Sequence, residues 1–280
     1  MTITQEIFEH FCPVALNPGN GIFTAVANAL SLRMEFVRTV LGPELLDRVN
    51  ESGFSPLLTP LDDFEELCRA VARYVCVSAF NDSVPQLDLV LTDTGFGIVS
   101  NGNVAPASFD RVQRLLSSLK REMDDVFDDI LSSARTAGGW SDSEYARPWF
   151  KSIFWRGRDA RLFGDPMATR SALDSLAPVI SSAEVRLKEL VSPEFFQELC
   201  AYCRNGVFSP VMQQVLSFAR NYVVSLVKDD GSVSVHKRML LGFLEKYPEE
   251  FNTYISSSAF RANHFKPYEN RKEDPCFFFG

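Results

Sequence analysis

The feature that most limits what this chain can fold into is an apolar stripe across residues 109–135. Val112, Leu115, Leu116, Leu119, Met123, Val126, Phe127 and Ile130 recur at three- and four-residue intervals. That spacing lays them along one side of a long α-helix. Ser108 is placed to cap its start and Gly138-Gly139 to end it. A helix with so long an apolar side needs other elements to cover it.

Most of the rest of the chain has the same character. Val26, Leu30, Met34, Val37 and Leu41 predict a helix over about 22–41, stopped at Gly42-Pro43, with Pro43 opening a short helix at 44–49. Phe64, Leu67, Cys68, Val71 and Val75 predict another. The exception is 84–108, the clearest strand signal. Leu87, Val90 and Leu91 run into Thr92-Asp93-Thr94-Gly95 and then Phe96, Ile98 and Val99, which predicts a β-hairpin over about 87–99.

The second half restarts the pattern of the first. Ser192-Pro193-Glu194-Phe195-Phe196 stands where Gly42-Pro43-Glu44-Leu45-Leu46 does, and Phe208-Ser209-Pro210 parallels Phe54-Ser55-Pro56, at an offset of about 151 positions. Val215, Phe218, Tyr222 and Leu226 then parallel the helix carrying Phe64 and Val75, and Asp229-Asp230-Gly231 with Val233 and Val235 parallels the hairpin. Any two amphipathic helices joined by proline turns share some of this. The expected fold is mainly α with short β-hairpins (α+β), a tandem duplication of a helical unit carrying a hairpin. The expected organisation is a first unit at 1–138, an aromatic and basic connector at 139–170, a second unit at 171–257 and an extended tail at 258–280.

A formal charge of −8 over 280 residues opposes sequence-independent binding to nucleic acid, leaving only a local basic patch for that role. No run of about 18 apolar residues occurs, so no membrane span is expected. The first residues lack the basic-then-apolar pattern of a signal peptide. With six scattered cysteines, this points to a protein made in the cytoplasm with reduced thiols.

No catalytic constellation stands out, and neither a cofactor nor a metal site is expected. His10, His236 and His264 are not at ligand spacing. Cys200-Ala-Tyr-Cys203 is a CxxC without a second ligand pair. Gly95-Phe-Gly97 is too short for a dinucleotide loop. Three features remain as a candidate partner interface. Asp124, Asp125, Asp128 and Asp129 make an acidic patch near the end of the long helix, either a solvated face or a dock for a basic partner. Trp149, Lys151, Trp155, Arg156, Arg158 and Arg161 form a basic, aromatic-rich segment that either packs internally or meets the acidic patch of a neighbouring copy. Phe277, Phe278 and Phe279 close the chain and either fold back or enter a groove on a partner, since three exposed rings are costly in water.

The segment 87–108 resembles an uncharacterised protein family of Bacteroidales prophages and related phages. Gly95-Phe96-Gly97-Ile98-Val99-Ser100-Asn101 and Asn103-Val104-Ala105-Pro106-Ala107-Ser108 carry the likeness, continued by Arg111-Val112-Gln113-Arg114-Leu115. Such proteins occur among virion structural genes. The resemblance implies a non-enzymatic head–tail connector, adaptor or head-completion role, with partners drawn from copies of itself or neighbouring virion proteins, and assembly into a ring. The alternatives are a monomeric or dimeric binding module of a mobile element, or an enzyme of unrecognised chemistry.

Overall fold

The computed structural model describes residues 2–12, 21–52, 62–87, 89–92, 95–98, 108–206 and 209–264. The chain divides into two compact units, one of 1–175 with 204–206 and one of 176–203 with 207–280.

The first unit contains α1 (Gln5–Phe11), α2 (Ile22–Leu41), α3 (Pro43–Glu51), α4 (Asp63–Ser83) and α5 (Phe109–Ala134). Helix α4 is its centre, packed against α1, α2 and α5. It is therefore buried nearly all round, with Leu67, Cys68, Val71, Ala72, Val75, Cys76 and Val77 sealed from solvent. Asp62 and Glu65 close its N-terminus in a reciprocal capping box, satisfying two backbone donors that the first turn leaves without partners. In α5 the apolar stripe is buried at Leu119, Val126, Phe127, Ile130 and Leu131.

Residues 139–170, expected as a connector, lie within this first unit. They form the 3₁₀ turns Trp140–Asp142, Arg147–Phe150 and Gly157–Phe163. Of their apolar side chains, Trp140, Phe150, Ile153, Phe154 and Trp155 are core residues, while Leu162 and Met167 are exposed. The Trp140 indole Nε1 donates to the Val40 carbonyl at 3.1 Å. Val40 lies in the last turn of α2, where carbonyls lack helical partners.

The second unit takes most of α6 (Arg170–Val191) and then α7 (Pro193–Asn205), α8 (Pro210–Lys228), α9 (Val233–Lys246), α10 (Asn252–Ile255) and α11 (Ser258–Asn263). Phe195 lies edge-on to Phe251 at 5.8 Å and tilted against Tyr254 at 6.2 Å. All three are fully buried.

The α+β expectation is corrected here: the architecture is helical, and no β-sheet builds either core. Strand pairing among the described residues is confined to the ribbon Leu89–Thr92 with Gly95–Ile98. Two strands alone cannot bury a core. The duplicated hairpin is corrected as well. Asp229 ends α8 in the left-handed conformation, and Val233 and Val235 belong to α9. Leu240 and Leu244 bury the inner side of that helix, so the apolar period there is helical rather than alternating.

Two turns depend on unusual backbone. Gly42, between α2 and α3, has φ +78° and ψ 165°, a region open essentially to glycine alone. A Cβ there would also meet the Tyr145 ring at 2.6 Å. Ser192 occupies the matching place before Pro193 with φ +90°, and its hydroxyl accepts from the Phe195 N–H at 3.2 Å. Gly42→Ala is expected to destabilise the chain by about 2 kcal/mol or more, combining backbone strain with a displaced aromatic ring. Denaturant unfolding measures this, and Tyr145→Ala in the same background should recover only the steric part. Burial pushes the Cys76 thiol up to about 12. Alkylating reagents at pH 8 should therefore modify Cys76 only as the first unit unfolds, as followed by mass spectrometry.

Candidate functional site

The acidic half of α5 and the 3₁₀ segment that follows it meet within one chain. At positions 124, 125, 128 and 129 the helix places four carboxylates on adjoining turns. Like charges at such spacing repel and need cations nearby.

Asp128 is fully buried. One carboxylate oxygen accepts from the Gly157 backbone N–H at 2.8 Å and Arg170 Nη2 at 2.7 Å. The other accepts from the Arg158 backbone N–H at 3.0 Å and Arg158 Nε at 3.2 Å. Both oxygens are thus saturated by donors, two of them cationic, which is what an ionised group needs to stay charged out of water.

The neighbouring carboxylates extend the cluster. Arg158 Nη2 reaches Asp129 at 2.7 Å and the Asp125 carbonyl at 3.0 Å. Arg161 Nη2 reaches the Asp125 carboxylate at 2.7 Å. Asp124 accepts from the backbone N–H of Arg170, the first residue of α6, at 2.9 Å. Burial by itself would lower the Arg158 guanidinium, but hydrogen bonding and the charges of Asp129 and Asp128 outweigh it and hold it above its ordinary value. Burial raises the Asp124 carboxyl, and the Arg170 N–H only partly offsets that.

Aromatic rings floor the cluster. The Arg170 guanidinium lies 5.0 Å from the centre of Phe127 and 5.6 Å from that of Trp149. Trp155 is buried, with the Arg135 guanidinium 4.6 Å and the Arg156 guanidinium 5.5 Å from the centre of its ring. Arg156 does not join the aspartates of α5. It pairs at 2.8 Å with Asp159, whose other oxygen accepts the backbone N–H groups of Trp155 and Arg156.

The structure therefore brings Asp124, Asp125, Asp128 and Asp129 together with Arg158 and Arg161 within one chain. Trp149 and Trp155 pack beside them, Arg156 shapes the turn, and Lys151 is exposed. Phe277, Phe278 and Phe279 lie outside the described residues. Arg170, Gly157 and Asp159 complete the arrangement and were not singled out from sequence. Gly157 carried a local signal, a glycine between two arginines; a Cβ there would lie 2.9 Å from the Arg170 backbone nitrogen. Beside the cluster, a cleft of about 690 Å³ between α4 and α5 is lined by Arg69, Arg73, Glu122, Asp129 and Ser133, among others. Cys203 is buried within α7. Among the described residues no group of three or more His, Cys, Asp or Glu side chains is arranged to hold a metal, and no helix is long and apolar enough to cross a membrane.

Chemically this is a clamp. Asp128 ties two successive backbone N–H groups and two arginines to one point on α5, so the 3₁₀ segment and the start of α6 are fixed to that helix. Asp128→Ala should destabilise by about 3–5 kcal/mol, the range for removing one partner of a buried pair. Asp128→Asn should also lose stability, because its amide would confront donors. Asp124→Asn should behave oppositely. A carboxyl raised in the folded state contributes stability at acid pH and loses it as pH rises through the folded value. The variant should melt above wild type at pH 7, and the gap should close on acidification through the carboxylate range, as read from melting curves at several pH values.

The family of unknown function DUF6712 matches residues 37–147. That stretch takes in the acidic half of α5 and stops short of Arg158, Arg161 and Arg170. No curated protein and no solved structure matches the chain.

Proposed function

We propose that this chain is a non-enzymatic structural component of a phage or prophage particle, made in the host cytoplasm and acting through protein–protein assembly as an adaptor, head–tail connector or head-completion piece. The observation that carries the reading is the clamp. A concentrated set of ionisable groups in the first unit fixes the 3₁₀ segment and the start of α6 to α5, and the Asp128 oxygens are fully engaged by donors. A general acid or base needs a position open to substrate; a scaffold that must keep its shape under assembly needs rigid internal pairing. The likeness of 87–115 to Bacteroidales prophage proteins supports the same reading.

Because the aspartates of α5 and Arg158 and Arg161 satisfy each other internally, assembly draws on other surfaces, the terminal Phe277–Phe279 run among them. Light scattering of the purified full chain across a range of concentrations should give a multi-subunit mass, and removal of 274–280 should lower it. A monomer at every concentration in both forms would sink self-assembly into a ring and favour a monomeric binding module.

A further inference from the structure

Helix α5 is divided in both burial and charge. From Leu119 onward its apolar stripe is buried in the first unit at Leu119, Val126 and Ile130, with Met123 half-buried, chiefly against α4. Before Leu119 the stripe continues with more of it in reach of solvent: Phe109 is 76% exposed, and Val112, Leu115 and Leu116 are half-buried. Positions 109, 112, 116, 119, 123, 126 and 130 are all apolar. Their alternating three- and four-residue steps are the seam along which one helix packs on another. The seam is thus buried more deeply over its second half than over its first, and it is open at Phe109.

Charge divides at the same place. Residues 109–121 carry four cations and one acid, and residues 122–134 carry five acids and no cation. Among the described residues the ion pairs of α5 all start from Glu122 or beyond. At 100° per residue, Arg111 and Lys120 fall on opposite flanks of this partly exposed apolar stripe, and both are exposed.

We infer that the first half of α5 is a docking face for a helix of another protein whose apolar side is bordered by Asp and Glu. The inference rests on the assembly reading above and names the chemistry of the partner. Three features select that occupant. The partly exposed stripe continues an existing helix–helix seam, so a helix fits it. Its borders are cationic, so acidic flanks complement them. A second copy laid on the same face would set cation against cation, and an anionic bilayer would meet a body of net charge −8.

The probe is a fluorescent three-heptad peptide with Leu at the two seam positions of each heptad and Glu at the flanking ones, titrated with the full chain and followed by anisotropy. The control peptide has Lys in place of Glu. The acidic peptide should bind and the basic one should bind at least about tenfold more weakly. Phe109→Asp should weaken the acidic peptide by about tenfold or more. Its melting temperature should hold, because the side chain is exposed and an acid suits the first turn of a helix. Arg111→Glu with Lys120→Glu should reverse the preference between peptides.

Equal binding of the two peptides, or binding of neither, overturns the inference. So does a multi-subunit mass that Phe109→Asp reduces, which would make the occupant a second copy. Sedimentation with phosphatidylserine vesicles that Phe109→Asp abolishes would make it a bilayer, and also overturns it. The assembly reading is judged separately by the mass of the unmodified chain: a multi-subunit particle that ignores both peptides loses this face and keeps assembly, whereas a monomer that binds the acidic peptide does the reverse.

Discussion

An ionised carboxylate removed from water must recover its hydration from the protein, and on α5 Asp128 recovers it from four donors. Two are consecutive backbone N–H groups and two belong to arginines, so the arrangement is directional as well as electrostatic. It fixes the turn at Gly157, sets Arg158 across Asp129, and brings Arg170 over Phe127 and Trp149. A segment built from short 3₁₀ turns has few backbone hydrogen bonds of its own to hold it. The carboxylate supplies what the backbone there does not.

The same interaction explains a charge distribution that would otherwise be unfavourable. Five acids in the second half of α5 repel one another and run toward the negative end of the helix dipole. Arg73, Arg158, Arg161 and Arg170 each pair with one or more of them. Several of these pairs are only partly exposed, and burial makes them stronger and costlier to break than pairs on an open surface.

The helices were legible because their period is local. Val26, Leu30, Val37 and Leu41 mark α2, and Leu67, Val71 and Val75 mark α4, within a few turns of sequence. Gly42-Pro43 and Ser192-Pro193 marked helix boundaries for an equally local reason, since proline suits a first turn. What failed was the step from a strand-like run to a β-containing class. The alternation in 84–108 is real as a pattern, but two short strands do not make a core, and the helical period of Val233, Leu240 and Leu244 outweighed the resemblance of 229–235 to that hairpin. The candidate site was half legible. Residue type showed which groups were charged, but nothing local shows whether an acidic patch meets its basic partner within one chain or across two. Arg170 escaped notice because its partners are 42 and 46 positions away.

Those separations also bear on how the first unit forms. Helices α4 and α5 can each appear from local contacts, but the clamp requires loops of 29 to 46 residues to close first. The packing of α4 on α5 spans loops of the same order, as the 49-residue separation of Arg73 and Glu122 shows. If the Asp128 contacts form only after the folding barrier, loosening them leaves folding nearly as fast and shortens the lifetime of the native state. The cluster would in that case act as a kinetic lock, governing how long the unit stays folded more than how quickly it gets there.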